Sequence, residues 1–352
     1  MTKSNMIERD PLNPGQSSDQ DRFPIRVLAE KTSVGTSTLR AWERRYGLLH
    51  PERTPKGHRL YSDLDVRRVL KILDLLNDGH TLPSISEMLS VKNTSTASAN
   101  LYEISNKDTS PSITNSSMAN TPMATVWDDY INTTLESTSD FNVERIDAIY
   151  NEASSLYPID MVTDRLIQPT ITILGNRWKE HPERGVAEEH FYTSWLKNRL
   201  GARFHHAYSQ ARGARIICAC VPGSFHEIGL MLFALSALAR GYRVLYFGAD
   251  LPLNQLPYIT QRSAAKAVVL GAQSQMDKNL NTELTTLVSQ LNTPVFIGGS
   301  DELIDTDAFQ ASGGILLGAN VSVALKVFES HVPAYSAAQS AASHNSSQSH
   351  RE

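Results

Sequence analysis

Five short, continuously apolar runs punctuate the C-terminal part of the chain: Ile216–Val221, Val244–Phe247, Ala267–Leu270, Val295–Ile297 and Ile315–Leu317. Helix-length amphipathic segments separate them. A strand that is apolar on both faces is covered on both faces, and crossover helices provide that cover for a parallel sheet. The pattern predicts a doubly wound, flavodoxin-like α/β domain over residues 211–332, with ligands at the carboxyl ends of its strands.

Upstream the pattern differs. Of the 32 residues from Val91 to Pro122, 17 are Ser, Thr or Asn, and so polar a stretch cannot repay the entropy of being ordered. Residues 91–122 therefore read as a flexible linker, and residues 1–21 and 333–352, of similar character, as disordered tails. The 352 residues are 41% apolar, enough for about two domains of ordinary size with their own cores. Residues 22–90 read as short helices: Ile25–Thr32, then Ser37–Tyr46 closed by Gly47, then a helix opened by the Ser62–Asp65 capping box and striped by Val66, Val69, Leu70, Leu73 and Leu76. Thr81-Leu82-Pro83 opens one more through Leu89. Residues 123–208, with apolar positions that include Trp127, Ile146, Tyr150, Leu166 and Leu174, read as a four-helix bundle. The fold class is thus multidomain: an all-α winged helix-turn-helix, a four-helix bundle and a doubly wound domain.

The formal net charge of −4 argues against a uniformly basic nucleic-acid coat. Charge is nevertheless segregated: Arg40 to Arg59 holds six basic residues against Glu43 and Glu52, a local +4 suited to neutralising phosphates. Arg40, Arg44 and the helix start at Ser37 can address one groove, and the turn Pro55–Arg59 has the character of a basic wing. Cys218 and Cys220, the two cysteines, are too few and too close for a disulfide framework or a four-ligand zinc site, which fits a reducing cytosol. As alternating strand residues they read as small packing groups. No apolar run approaches the roughly 20 residues of a membrane span, and Met1–Asp10 lacks the apolar core of a signal peptide; a soluble cytoplasmic chain is expected.

The string Thr38-Leu-Arg-Ala-Trp-Glu-Arg-Arg-Tyr-Gly-Leu-Leu-His-Pro-Glu-Arg-Thr54, followed by Gly57-His-Arg-Leu-Tyr-Ser-Asp-Leu-Asp65, strongly resembles the winged helix-turn-helix of MerR-family transcription regulators. That resemblance implies a dimer or higher assembly on a palindromic DNA operator, with Arg40, Arg44 and Tyr46 near the DNA and Lys56, His58 and Arg59 in the wing. Metal-sensing members place cysteines in the effector part; this chain has none suitable, so a metal effector is not expected.

His226 follows the first strand within Pro222-Gly-Ser-Phe-His-Glu-Ile-Gly229, where a doubly wound sheet presents ligands. An imidazole there can bind a metal through one nitrogen if its other nitrogen is held, although a lone histidine is more often structural. Gly298-Gly299-Ser300, after the fourth strand, lets a bulky ligand approach the backbone, although turns also use glycine freely. In the helical block Glu189 falls in an apolar stripe with Val186, Thr193, Leu196 and Leu200, where a carboxylate is costly unless paired; Glu189, adjacent His190 and Trp178 read as a polar and aromatic cap, with a helix-edge Glu and a core Trp as the blander alternative.

Together these blocks resemble the cobalamin-binding module, a helical cap followed by a doubly wound domain, in the order found in CarH/LitR-type photoreceptor regulators. The resemblance implies His226 as the lower axial cobalt ligand, Gly229 as the glycine of its motif, and Trp178, Glu189 and His190 over the upper face around an adenosyl group. Gly298 and Gly299 match the glycines beside the nucleotide tail, and His181 is the nearest candidate for an upper ligand after illumination. Three departures stand out: Ser224 replaces the motif's acid, the Trp178 to Glu189 interval is one residue longer, and Gly271-Ala-Gln273 replaces a serine-containing strand end. The expected function is a non-enzymatic, light- and adenosylcobalamin-dependent transcription repressor whose cofactor controls oligomerisation and operator binding. The alternative keeps the fold with a vestigial pocket and a protein partner. An enzymatic corrinoid carrier ranks third, because no catalytic barrel is present and DNA reading has no role in that chemistry.

Overall fold

A computed structural model describes residues 22–95, 123–208, 211–272, 278–299 and 304–334. The readings of residues 1–21 and 335–352 as tails, and of residues 96–122 as linker, lie outside these. The N-terminal part comprises α1 (Ile25–Thr32), α2 (Thr36–Tyr46), a two-stranded wing β1 (Glu52–Arg53) and β2 (Arg59–Leu60), α3 (Asp63–Asn77) and α4 (Leu82–Ser95). α4 thus runs five residues into the stretch read as linker. Gly47 ends α2 at φ 59°, and the Ser62 amide donates to Asp65 Oδ2 at 2.8 Å to complete the capping box that opens α3. The wing is antiparallel, pairing Arg53 with Arg59, and turns through Gly57 at φ 81°.

The cap consists of α5 (Met123–Ser139), α6 (Val143–Leu156), the short α7 (Ile159–Val162), α8 (Gln168–Glu180) and α9 (Pro182–Tyr208). α7 passes into α8 through a π-helical turn at Thr163–Ile167. Pro169, in the first turn of α8, has no amide to donate back along the ladder, and the register widens just ahead of it. The bundle therefore has four long helical arms, the third with a bulge.

The last part alternates β3 (Arg215–Cys220), α10 (Ile228–Ala239), β4 (Arg243–Gly248), α11 (Leu256–Ser263), β5 (Ala267–Ala272), α12 (Lys278–Gln290), β6 (Val295–Gly299), α13 (Thr306–Ala311), β7 (Ile315–Gly318) and α14 (Val321–His331). The five strands are parallel in the order β4-β3-β5-β6-β7, the flavodoxin-like arrangement. Alternation along each buried strand sorts side chains into two layers. Ile216, Cys218, Val269 and Phe296 join one core with α10, α14 and the cap, whereas Ile217, Ala219, Val268 and Ile297 join the other with α11, α12 and α13. α10 is buried continuously from Leu230 to Leu238 because sheet and cap enclose it. Beyond α14 the chain stays ordered for two residues read as tail: Ala334 O accepts from the Ala214 amide at 2.6 Å.

Candidate DNA-reading surface and cofactor cleft

α2 divides cleanly. Thr38, Leu39, Ala41 and Trp42 are buried, while Ser37, Arg40, Arg44 and Gly47 form an exposed stripe at helical spacing. Lys56 and His58 are exposed at the wing tip. Arg59 is committed elsewhere: its Nε lies 2.7 Å from Glu43 Oε2, and Arg53 lies 3.5 Å from Glu43 Oε1. Glu43, 12% exposed in its side chain, thus clamps the wing to α2 with two of the six basic residues. Among the described residues Arg40, Arg44, Arg45 and Lys56 carry no ion pair, so the unpaired positive charge of this segment sits on the α2 stripe, on Arg45 beside it and on the wing tip. Tyr46 is half-buried off that stripe and turned towards the cap; burial, then Tyr46 and Glu152, pushes the cap's Tyr157 up to about 12.

At the carboxyl ends of the strands lies a small open cleft with a cavity volume of about 50 Å³. His226, Gly229, Gly298 and Gly299 all line it, with Leu230 and Phe233 at its apolar side. Gly298 pairs with Gly271 across β6 and β5, so both strand ends are bare of side chains. Gly299 has φ 143°, and a Cβ there would lie 2.1 Å from Ala272 O. Only glycine fits, and the floor of the cleft is consequently bare backbone. The imidazole of His226 is exposed on the β3–α10 loop. That loop is braced from the end of β4: the Gly223 amide donates to Asp250 Oδ1 at 2.8 Å, and the Asp250 amide donates to Ser224 O at 3.2 Å. Asp250 adopts φ 54° to do so. Ser224, standing in for an acid, is fully buried.

The cap residues do not line this cleft. Trp178 near the end of α8 is 41% exposed, and the backbone there packs so closely on α9 that a Cβ at Gly185 would sit 2.6 Å from Trp178 Cα. Glu189 meets its expected need for a partner within its own helix, with Oε2 2.8 Å from His190 Nδ1, which leaves the imidazole of His190 largely exposed. His181 caps α8 and sits 3.9 Å from Glu183. Two contacts tie cap to cleft rim: Gln168 Nε2 donates to Ala319 O at 3.2 Å, and Ser322 Oγ donates to Asp164 Oδ2 at 2.5 Å.

Burial raises the Cys218 thiol and pushes Cys220 up to about 12, so both stay protonated packing groups in β3. Among the described residues no cluster of His, Cys, Asp and Glu could hold a metal ion, and no helix is long and apolar enough to cross a membrane. Asp250 and Glu227 escaped the sequence reading. Asp250 carries no motif of its own, whereas Glu227 was in view within the His226 motif but had no legible partner.

Residues 23–92 match the family model for MerR HTH family regulatory proteins, and residues 130–203 match the B12 binding domain model. The chain therefore joins a MerR-type helix-turn-helix to a B12 binding domain, the class of a DNA-binding regulator with a corrinoid-binding module. It is 29% identical to the HTH-type transcriptional repressor CarH of Myxococcus xanthus, over 79% of this chain and 89% of that protein. It is 26% identical to the HTH-type transcriptional repressor CarA of the same organism, over 66% and 70%. The HTH-type transcriptional regulator MlrA of Escherichia coli shares 39% identity over 20% of this chain and 29% of its own length. Among solved structures, a monomethylamine corrinoid protein of Methanosarcina barkeri has a TM-score of 0.46 and 16% identity, covering 57% of this chain and 97% of its own.

Proposed function

We propose that the protein is a transcription repressor that reads operator DNA through Arg40, Arg44 and the wing, and takes adenosylcobalamin at the strand ends. The observation that carries the reading is the convergence of His226, Gly229, Gly298 and Gly299 on one cleft. Glycines at the strand ends would let a slender nucleotide arm approach the backbone, and the exposed imidazole of His226 beside them would hold the cobalt. Trp178, Glu189 and His190 belong to the cap that would lie over the upper ligand. His181, at the end of α8, is the candidate that would hold the cobalt after illumination.

When bound, adenosylcobalamin supplies a light-labile cobalt–carbon bond. The protein's part would be structural: Trp178 and the Glu189–His190 pair would hold the cap against the adenosyl group, and the seated cap would form the surface for a homo-oligomer. A ligand shifts assembly only by its differential affinity for the two states, and about a hundredfold corresponds to roughly 2.7 kcal/mol. No step makes or breaks a substrate bond, so this is a non-enzymatic reading, and a cytoplasmic location would suit its DNA target.

The test is reconstitution with adenosylcobalamin in darkness. A histidine-coordinated spectrum is expected in the wild type and its loss in His226→Ala. Size-exclusion chromatography and operator binding should both change on illumination, with the difference blunted in Trp178→Ala. Identical assembly and affinity in dark and light removes the photoreceptor claim. A colourless wild type leaves a vestigial pocket regulated by a protein partner.

A further inference from the structure

Glu227 follows His226 directly and is 6% exposed, a buried carboxylate in the one loop that the cofactor reading requires to be held still. Its two oxygens are used by different parts of the molecule. Oε2 accepts from Tyr246 Oη of β4 at 2.7 Å. Oε1 pairs with Lys197 Nζ of α9, a residue two helical turns beyond His190 on the cap. The backbone is shaped around this carboxylate. β4 bulges at Phe247, with Cys218 paired to Tyr246 and Ala219 to Gly248. Gly248 adopts φ 79°, and a Cβ there would lie 3.3 Å from Glu227 Oε2. A bulge re-aims neighbouring side chains, and a glycine leaves room for the oxygen. Burial and the hydrogen bond to Glu227 raise the Tyr246 phenol, which keeps it a donor.

We propose that Glu227 is the positioning residue of the cofactor site, seating the cap on the sheet through Lys197 and holding the His226 loop in register through Tyr246. The proposal rests on the cobalamin reading of the cleft. A buried carboxylate needs its partners, so losing either one releases the element that partner belongs to. The arrangement also explains how the loop does without the acid that Ser224 replaces. Asp250 braces the front of the loop through its backbone, and Glu227 braces the rear from strand and cap together.

Amide hydrogen exchange of the unloaded full chain, beside titration with adenosylcobalamin in darkness, tests this. Lys197→Met alters a half-exposed side chain and spares the core. It should speed exchange over residues 189–200 of α9 while α5 and α6 keep their protection, and Glu227→Gln should do the same. Tyr246→Phe leaves the Lys197 pair intact and should leave α9 protected, yet weaken the histidine-coordinated spectrum. Affinity for adenosylcobalamin should fall about 10- to 100-fold in Glu227→Gln, the range for groups that hold a metal-ligating imidazole in place. The double exchange Lys197→Glu with Glu227→Lys should restore α9 protection. Wild-type exchange and wild-type cofactor spectrum in both Lys197→Met and Glu227→Gln overturn the proposal. Failure of the wild type itself to bind adenosylcobalamin overturns the cobalamin reading first, and with it this role.

Discussion

The indole Nε1 of Trp42 donates to the backbone carbonyl of Leu156 at 2.8 Å, a buried hydrogen bond between residues 114 positions apart. It joins the inner face of α2 to the last turn of α6. α6 is joined in turn to α9 by Trp195 Nε1, which donates to Asp147 Oδ1 at 2.8 Å. α2 and the helix bearing Glu189 and His190 are therefore both tied to one cap helix, α6. Trp42→Phe keeps most of the ring and removes the donor. It should lower thermal stability by about 1–2 kcal/mol, the cost of leaving a buried acceptor unmet, and raise amide exchange near Leu156. An unchanged unfolding midpoint would show the bond to be energetically idle.

Arg44→Ala should weaken operator binding by about 1–3 kcal/mol with the fold intact, because its side chain is exposed on the α2 stripe and pairs with nothing among the described residues. Arg59→Ala should behave differently. It removes a clamp on Glu43 and should loosen the wing as well as lower affinity, so its effect should include a drop in unfolding temperature. Gel shifts at fixed salt, with thermal melts alongside, separate the two. Equal melts for both variants would contradict the clamp.

Gly299→Ala should be costly although it adds a single methyl group. The backbone sits at φ 143°, and the new Cβ would press on Ala272 O at 2.1 Å, so β6 must part from β5 at the cleft floor. A loss of about 1–3 kcal/mol in stability is expected from the strained backbone alone. Adenosylcobalamin binding should be lost as well. Retained stability and binding would show that strand ends yield freely here.

Asp164 lies at the π turn with Oδ1 buried and unpartnered, and burial raises its carboxyl above the usual range. A carboxyl raised in the folded state binds its proton more tightly there than in the unfolded chain. Stability from it is fully present below the unfolded value of 3.8 and is lost as pH rises through the folded one. Asp164→Asn, which can still accept from Ser322, should therefore melt higher than wild type at neutral pH, and the difference should vanish as pH falls towards 4. A gain that persists at low pH would point to a cause other than ionisation.

Much of this architecture is legible locally. The period of apolar residues separates the helical blocks from the parallel sheet, Gly47 and the Ser62–Asp65 box punctuate the first helices, and the local +4 charge marks the DNA-reading segment. These signals survive in one dimension because they reflect backbone preference and the alternation of core and solvent faces over a few residues. The positions of His226 and of Gly298 and Gly299 at strand ends follow from the same reasoning, since crossover topology sends those ends to one edge. What tertiary structure alone decided is which polar groups are spent on which. Arg53 and Arg59 look as available as Arg44 until Glu43 is found between them. Tyr46 shares a helix with Arg44 yet faces the cap. Glu227 finds Lys197 on one side and Tyr246 on the other only after α9 and β4 are packed around it. Pairing energy depends on distance and on burial, and both are set when segments far apart in the chain come together, so no local pattern can carry them.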